Sequence, residues 1–260
     1  MRPGEMAITF LGTGTSTGVP LLACDCAVCL STDPRDKRTR PALTVQGPEG
    51  TILVDAGPDF RTQCLAQKVR RVDACILTHT HADHLFGLDD LRQFNFQYDI
   101  RIPVYGTAET LERVRSVYDY CFKTTQEGGG KPQLDLVELI PFQPLMLCGI
   151  EVLPLWHWHG EVRVTSLLFN KTFAYVTDVS EVPGETRPSL QHLDTLVLGT
   201  VRYEPHPTHF HLEQAIEEAK ALGARQTYFT HLSHYFSHKD VSEELPKSIA
   251  LAYDGLRLAF

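Results

Sequence analysis

The chain has 260 residues, with 24 lysines and arginines against 32 aspartates and glutamates, for a formal net charge of −8. That balance argues against a general nucleic-acid binder, which carries a basic face. It leaves phosphate substrates open, because bound divalent cations can set the local field. The 43% hydrophobic and 22% charged fractions are those of a globular protein.

No apolar run approaches the roughly 20 residues of a membrane-spanning helix, and "MRPGEMAITF" lacks the apolar core of a secretory signal. The expected compartment is therefore the cytoplasm, with no membrane partner. Strand-like runs begin at 7–12 (AITFLG). The "GTGTSTG" that follows at 12–18 lacks the Gly-Lys-Ser/Thr ending of a phosphate loop, so it reads as a tight turn flanking the active site. Next, "LLACDCAVCL" at 21–30 places Cys24, Cys26 and Cys29 within six residues. Cys26 and Cys29 have redox-motif spacing, but Cys24 and the surrounding strands do not fit that setting. In a reducing compartment three close thiolates suit a tetrahedral zinc site that lacks one ligand. Cys64, Cys75, Cys121 and Cys148 are scattered and read as ordinary thiols.

Further strands are predicted at 42–47, 51–57, 73–79, 101–106, 150–155, 165–170, 172–178, 195–200 and 226–231. Helices are predicted at 84–94, with Asp83 near the start, and at 107–122. A third is predicted over 208–222, where Leu212, Ala215, Ile216, Ala219 and Leu222 keep helical spacing between a Thr208 cap and Gly223. Gly128 to Gly130 mark an exposed loop. With no repeat and no linker, residues 1–260 read as one α/β domain with two sheets.

The twelve histidines matter through their placement. "THTHADH" at 78–84 follows the apolar "ACIL", at the carboxyl end of a strand where α/β proteins gather ligand groups. In an extended segment His79 and His81 point the same way and suit one ion, while Asp83 and His84 turn elsewhere and suit a second. Asp178 ends "TFAYVTD", His231 ends "QTYFTH", and His157 and His159 follow "IEVLPL", so further ligands stand in similar places. Asp55, ending "TILVD", is expected to hydrogen-bond the motif's histidines and orient them.

The combination of "LVDAG", "THTHADH", a later "HG", "VTD" and "THLSH" resembles the metallo-β-lactamase fold superfamily of binuclear hydrolases. More narrowly, "LGTGTSTGVP", "CDCAVC", "DAGPDFR", "GLDDLRQFN", "IPVYG" and "YDGL" are similar to its cyclic phosphodiesterases of the carbon–phosphorus lyase pathway. The likeness runs from about residue 8 to the C-terminus. It implies a four-layer αββα sandwich with metals at one edge between the sheets. Carried across, it places His79, His81 and His159 on one ion and Asp83, His84 and His231 on the other, with Asp178 bridging. Family spacing from Pro154 favours His159, which precedes Gly160, over His157. The likeness also makes His209 a phosphate contact and general acid at a helix N-terminus, and His234 the fourth ligand of a zinc clip spanning about 21–31. His206, His211, His192 and His238 are expected bystanders, and Arg92 either reaches the phosphate or pairs with an acid.

The implied chemistry is hydrolysis of a small phosphodiester, cyclic ones included, by a hydroxide held between two divalent ions. The ions could be zinc, manganese or iron, since a His/Asp site accepts each. The relatives suggest a homodimer. Two alternatives stand beside it: a thioester or other ester hydrolase of the same fold, and a non-catalytic metal-binding accessory of a cofactor pathway. A transfer-RNA nuclease would need a long basic arm that the acidic chain does not show, so no nucleic-acid polymer is expected.

Overall fold

The computed structural model describes residues 2, 5–124 and 130–260. Of the glycine loop expected at 128–130, Gly128 and Gly129 lie outside the described residues. No helix of the described residues is long and apolar enough to cross a membrane.

Fourteen strands among the described residues form two seven-stranded sheets. The first contains β1 (Ala7–Gly12), β2 (Ala42–Gly47), β3 (Gly50–Val54), β4 (Ala74–Ile76), β5 (Ile102–Gly106), β6 (Leu134–Glu138) and β14 (Arg257–Ala259), in the order β14-β1-β2-β3-β4-β5-β6. The second contains β7 (Leu145–Leu147), β8 (Ile150–His159), β9 (Val162–Phe169), β10 (Phe173–Val176), β11 (Thr195–Gly199), β12 (Gln226–Thr230) and β13 (Ile249–Leu251), in the order β13-β12-β11-β10-β9-β8-β7. Antiparallel hairpins open each half, and parallel strands joined by helices follow.

Strand periodicity explains the layering. On β3, Ile52 and Val54 turn toward the second sheet and Leu53 turns outward. On β11, Val197 turns inward while Leu196 and Leu198 face the outer helices. The central layer joins Ile8, Val45 and Ile76 of the first sheet to Val152, Leu167 and Tyr175 of the second. One outer layer packs Phe60, Leu85 and Val114 on Leu53 and Cys75; the other packs Leu212, Ala215 and Leu222 on Leu196 and Leu198. Apolar layers therefore pack on both faces of both sheets, the αββα sandwich that the family likeness implied.

The expected helices are cut where backbone or side chains are needed elsewhere. The stretch 84–94 becomes a helix Ala82–Leu85, a 3₁₀ turn Leu88–Leu91 and a helix Arg92–Tyr98. Gly87 interrupts it: its N–H donates to the Ala56 carbonyl, and a Cβ there would stand 2.0 Å from the Gly57 carbonyl oxygen. The helix expected at 107–122 is capped by Thr107 and breaks at Tyr118, whose hydroxyl donates to the Leu85 carbonyl. The third helix starts at Leu212, not just past Thr208. The strands β8 and β9 run past the expected ends, so His157 and His159 lie within β8.

One buried cation ties the N-terminal loop to the segment after β12. Arg38 donates to Asp36 at 3.0 Å and to the carbonyls of Ser233 and Phe236 at 2.9 and 2.7 Å. Asp36 also accepts the N–H of His238 at 2.8 Å. Removing one partner of a buried pair leaves an uncompensated charge, so Arg38→Met should cost about 3–5 kcal/mol in denaturant unfolding. The double change Arg38→Met with Asp36→Asn should cost less than the single one.

Candidate metal centre

Several candidate-site residues stand just past strand ends, and three of them leave the strand in a left-handed conformation. Asp55 follows β3 with φ 63°, Asp178 follows β10 with φ 52°, and His231 follows β12 with φ 60°. Such a conformation costs a non-glycine residue about 1–3 kcal/mol and persists only where its surroundings hold it. Here it swings each side chain off the strand face into one cleft. The turn after Asp55 is pressed against the histidine helix: a Cβ on Gly57 would lie 1.9 Å from the Asp83 carbonyl oxygen, so only glycine fits.

Asp55 is fully buried and saturated. It accepts the Thr78 N–H at 2.8 Å, the Thr78 hydroxyl at 2.9 Å and the His84 Nδ1–H at 2.7 Å. With its own proton on Asp55, Thr78 Oγ1 accepts from His79 Nδ1 at 3.0 Å. The Nδ1 atoms of His79 and His84 are thereby engaged, and their Nε2 atoms face the cleft. His159 Nδ1 donates to the Thr208 carbonyl at 2.6 Å, which leaves its Nε2 free in the same way. The loop that the sequence placed in a helix is occupied by this bond.

The structure brings together His79, His81 and His159; His79, His84 and Asp178; and Asp83, His84 and His231, with ligand atoms within 4.8 Å of one another in each group. The Nε2 atoms of His79, His84 and His231 are buried with no hydrogen-bond partner. Buried polar atoms are rarely left so, and several such nitrogens facing carboxylates fit a divalent ion. Asp178 lies 3.2 Å from His84 Nε2 and 3.0 Å from His231 Nε2, so it adjoins both histidine sets. His157 joins none of these groups; its Nδ1 lies 2.6 Å from the Ser166 hydroxyl and burial pushes it down to about 4.

The protonation pattern reports the same field. Burial opposes charge on Asp178, yet the neighbouring His231 and His84 hold its carboxyl well below the usual range. Burial also opposes charge on His231, and Asp178 with Asp83 overrides it, raising the imidazole to about 9. Without metal, protons on the imidazoles balance the carboxylates; a cation would replace them.

His209 stands over this cluster. Its ring centroid is 4.4 Å from that of His159 and 4.9 Å from that of His231, and its Nδ1 is 3.9 Å from Asp178 Oδ1. It precedes the helix that starts at Leu212, where His211 is the capping position, so His209 does not sit at the helix N-terminus as expected. His206, expected as a bystander, accepts the Thr208 N–H at 3.2 Å and braces that strap. Arg92 pairs with Asp89 at 3.0 Å.

The cysteines form a separate group. The Sγ atoms of Cys24, Cys26 and Cys29 lie 3.4, 3.5 and 3.7 Å from His234 Nδ1. The Cys26 sulfur accepts the backbone N–H of Cys29, which pushes that thiol down to about 6, while burial pushes Cys29 up to about 11. Three sulfurs and one imidazole within this span fit a tetrahedral zinc ion. Asp254 anchors the neighbouring loop, accepting from the Thr13 hydroxyl at 2.8 Å and the Thr39 N–H at 2.7 Å.

A profile described as the β-lactamase superfamily domain matches residues 50–232. The chain belongs to the metallo-β-lactamase superfamily. A solved diphosphatase of the PhnP family is 39% identical, covers 98% of this chain and 97% of its own, and superposes with a TM-score of 0.91. The octanoyltransferase of Porphyromonas gingivalis is 37% identical over 254 residues, 96% of this chain but 51% of that protein. This chain thus spans about half the length of that relative. The Zn(2+)-bound PqqB of Methylobacterium extorquens, 18% identical with a TM-score of 0.80 over 97% of this chain and 99% of its own, shares the superfamily fold.

Two outcomes follow from the protonation and the geometry. Because His231 is raised to about 9 in the metal-free site, ion uptake at neutral pH must displace its proton. Metal affinity should therefore rise with pH until that value is passed, and calorimetry in buffers of different ionisation enthalpy should register protons released. Cys26→Ser should cost one zinc per chain by elemental analysis and leave the metals of the histidine cluster in place.

Proposed function

We propose that this chain is a metal-dependent hydrolase of small phosphodiesters, with diphosphate linkages included. The observation carrying the reading is the set of buried imidazole Nε2 atoms converging with Asp83 and Asp178 beneath His209. The PhnP-family diphosphatase supports the phosphorus-centred reading, since it matches over nearly its whole length. The octanoyltransferase does not redirect it, because about half of that protein has no counterpart here.

In this reading His79, His81 and His159 would hold one ion and Asp83, His84 and His231 the other, with Asp178 placed beside both sets. Bound divalent ions supply a nucleophile derived from water at neutral pH and positive charge against the phosphoryl oxygens. The protein's own residues do the rest. Asp55, Thr78 and the Thr208 carbonyl fix the imidazoles, so no ligand has to reorganise during the reaction. A cleft of about 200 Å³ beside His209 and His231, bordered by Thr15, Ser16, Arg202 and Tyr235, suits a small leaving group. Thr15 and Ser16 come from the glycine-rich turn. Burial and the adjacent His231 disfavour charge on His209 in the free site; the negative charge of a bound phosphate would favour its imidazolium, which would give its proton to the leaving oxygen and return to the neutral ring.

The partner in this proposal is a small phosphodiester, and a cytoplasmic homodimer is the form proposed for the chain. Zinc, manganese or iron would serve at the histidine cluster, and zinc at the cysteine clip. The test is hydrolysis by protein loaded with each metal, across ribose cyclic phosphates, linear diesters, diphosphate esters and thioesters. Turnover of phosphorus esters is expected. Thioester turnover alone would replace this reading with the ester-hydrolase alternative, and inactivity on every substrate would favour an accessory protein. His209→Ala should lower kcat by about 10²–10⁴-fold with metal content unchanged.

A further inference from the structure

The end of the first sheet opposite the metal cluster carries a second cavity. β3 and β4 run parallel, and their carboxyl ends deliver Asp55 and Thr78 to the metal centre. At their other ends Thr51 and the loop Lys68–Arg71 border a cavity of about 300 Å³. Thr9, Thr44 and Thr51 belong to its wall, and Thr9 and Thr44 are cross-strand partners on β1 and β2. Their neighbours Ile8, Val45 and Ile52 turn into the core, so these hydroxyls stand on the outer face. Elsewhere that face carries apolar contacts to helices; here it is polar.

Thr44 is only 6% exposed, yet its hydroxyl makes no hydrogen bond to any other described residue and borders the cavity. The oxygen itself opens onto the cavity, where it can bond a ligand. Around it stand Lys68, Arg70 and Arg257, none of which pairs with a carboxylate among the described residues. A fourth cation, Arg71, is held by Asp73 at 2.6 Å. No acidic residue lines the cavity, although the chain has 32 acids to 24 bases. Crowded like charges repel, and an anion among them relieves that repulsion.

We propose that this cavity binds a diphosphate group, distinct from any substrate at the metal centre. Three cations without acidic partners match the charge of a diphosphate, and the threonine hydroxyls supply donors to its oxygens. The group could arrive as free diphosphate or on a nucleoside. An adjoining cavity of about 550 Å³ shares Lys68, Val69 and Arg70 and adds Phe60, Leu65 and Phe94, which offer apolar room for a base.

Calorimetric titration of the metal-loaded full chain with methylenediphosphonate tests this, since its P–C–P link resists hydrolysis. The parent should bind one more anion per chain than Arg70→Ala/Arg257→Ala. Each lost guanidinium should weaken this site about tenfold or more. Both side chains are exposed, so the thermal midpoint and turnover of a simple diester should not change. Thr44→Val should weaken the same site alone. The α,β-methylene analogue of ADP, titrated alongside, separates the sources: tighter binding than methylenediphosphonate points to a nucleotide, equal binding to free diphosphate. Equal stoichiometry and affinity in the parent and the double variant would overturn the proposal.

Discussion

A carboxylate withdrawn entirely from water must be met by donors, and Asp55 meets that demand with Thr78 and His84. Much of the site follows from this one group. To receive the Thr78 N–H, the end of β4 must lie against the end of β3. To receive His84 Nδ1, the histidine helix must fold back over the glycine turn, and Gly57 and Gly87 are the two positions where the backbones meet closely enough to allow it. The same bonds fix which nitrogen of each ring carries its proton. The left-handed exit of Asp55 from its strand is the local strain that this geometry demands.

The second sheet reaches the same cleft by different means. Its strands bring Asp178 and His231 to adjacent parallel ends, and its long hairpin carries His159 across. The strap before the outer helix then does two jobs. The Thr208 carbonyl orients His159, and the next residue, His209, sits over the cluster. A loop with two such duties cannot also be helical, which is why the helix starts at Leu212.

Much of this was legible in the chain itself. "THTHADH" and the acids and histidines ending "VTD" and "FTH" could be read because strand ends concentrate ligands, and period-two alternation separated the sheet faces. The choice of His159 over His157 needed the family spacing, since both lie on one face of β8. What stayed hidden depends on the backbone or on distant pairings. The Thr208 carbonyl has no residue-type signature. The strands β6, β7, β13 and β14 are three to five residues long, and none continues into the longer β-branched, apolar run that announced β4 and β10. The cation cavity joins Lys68 and Arg70 to Arg257 from the far end of the chain, and no local pattern announces that meeting.

His231 and His234 lie three residues apart on the turn leaving β12, and each faces a different donor set. Arg38 grips the same turn through the carbonyls of Ser233 and Phe236. Ions at both groups would share this short tether, and any coupling it transmits would be reciprocal. An ion in the cysteine clip would hold the turn in the conformation that presents His231, and an ion beside His231 would favour the conformation that presents His234. With metal in excess the histidine cluster would still fill when the clip is broken, but under metal scarcity the shared tether would favour chains with both sites filled or both empty.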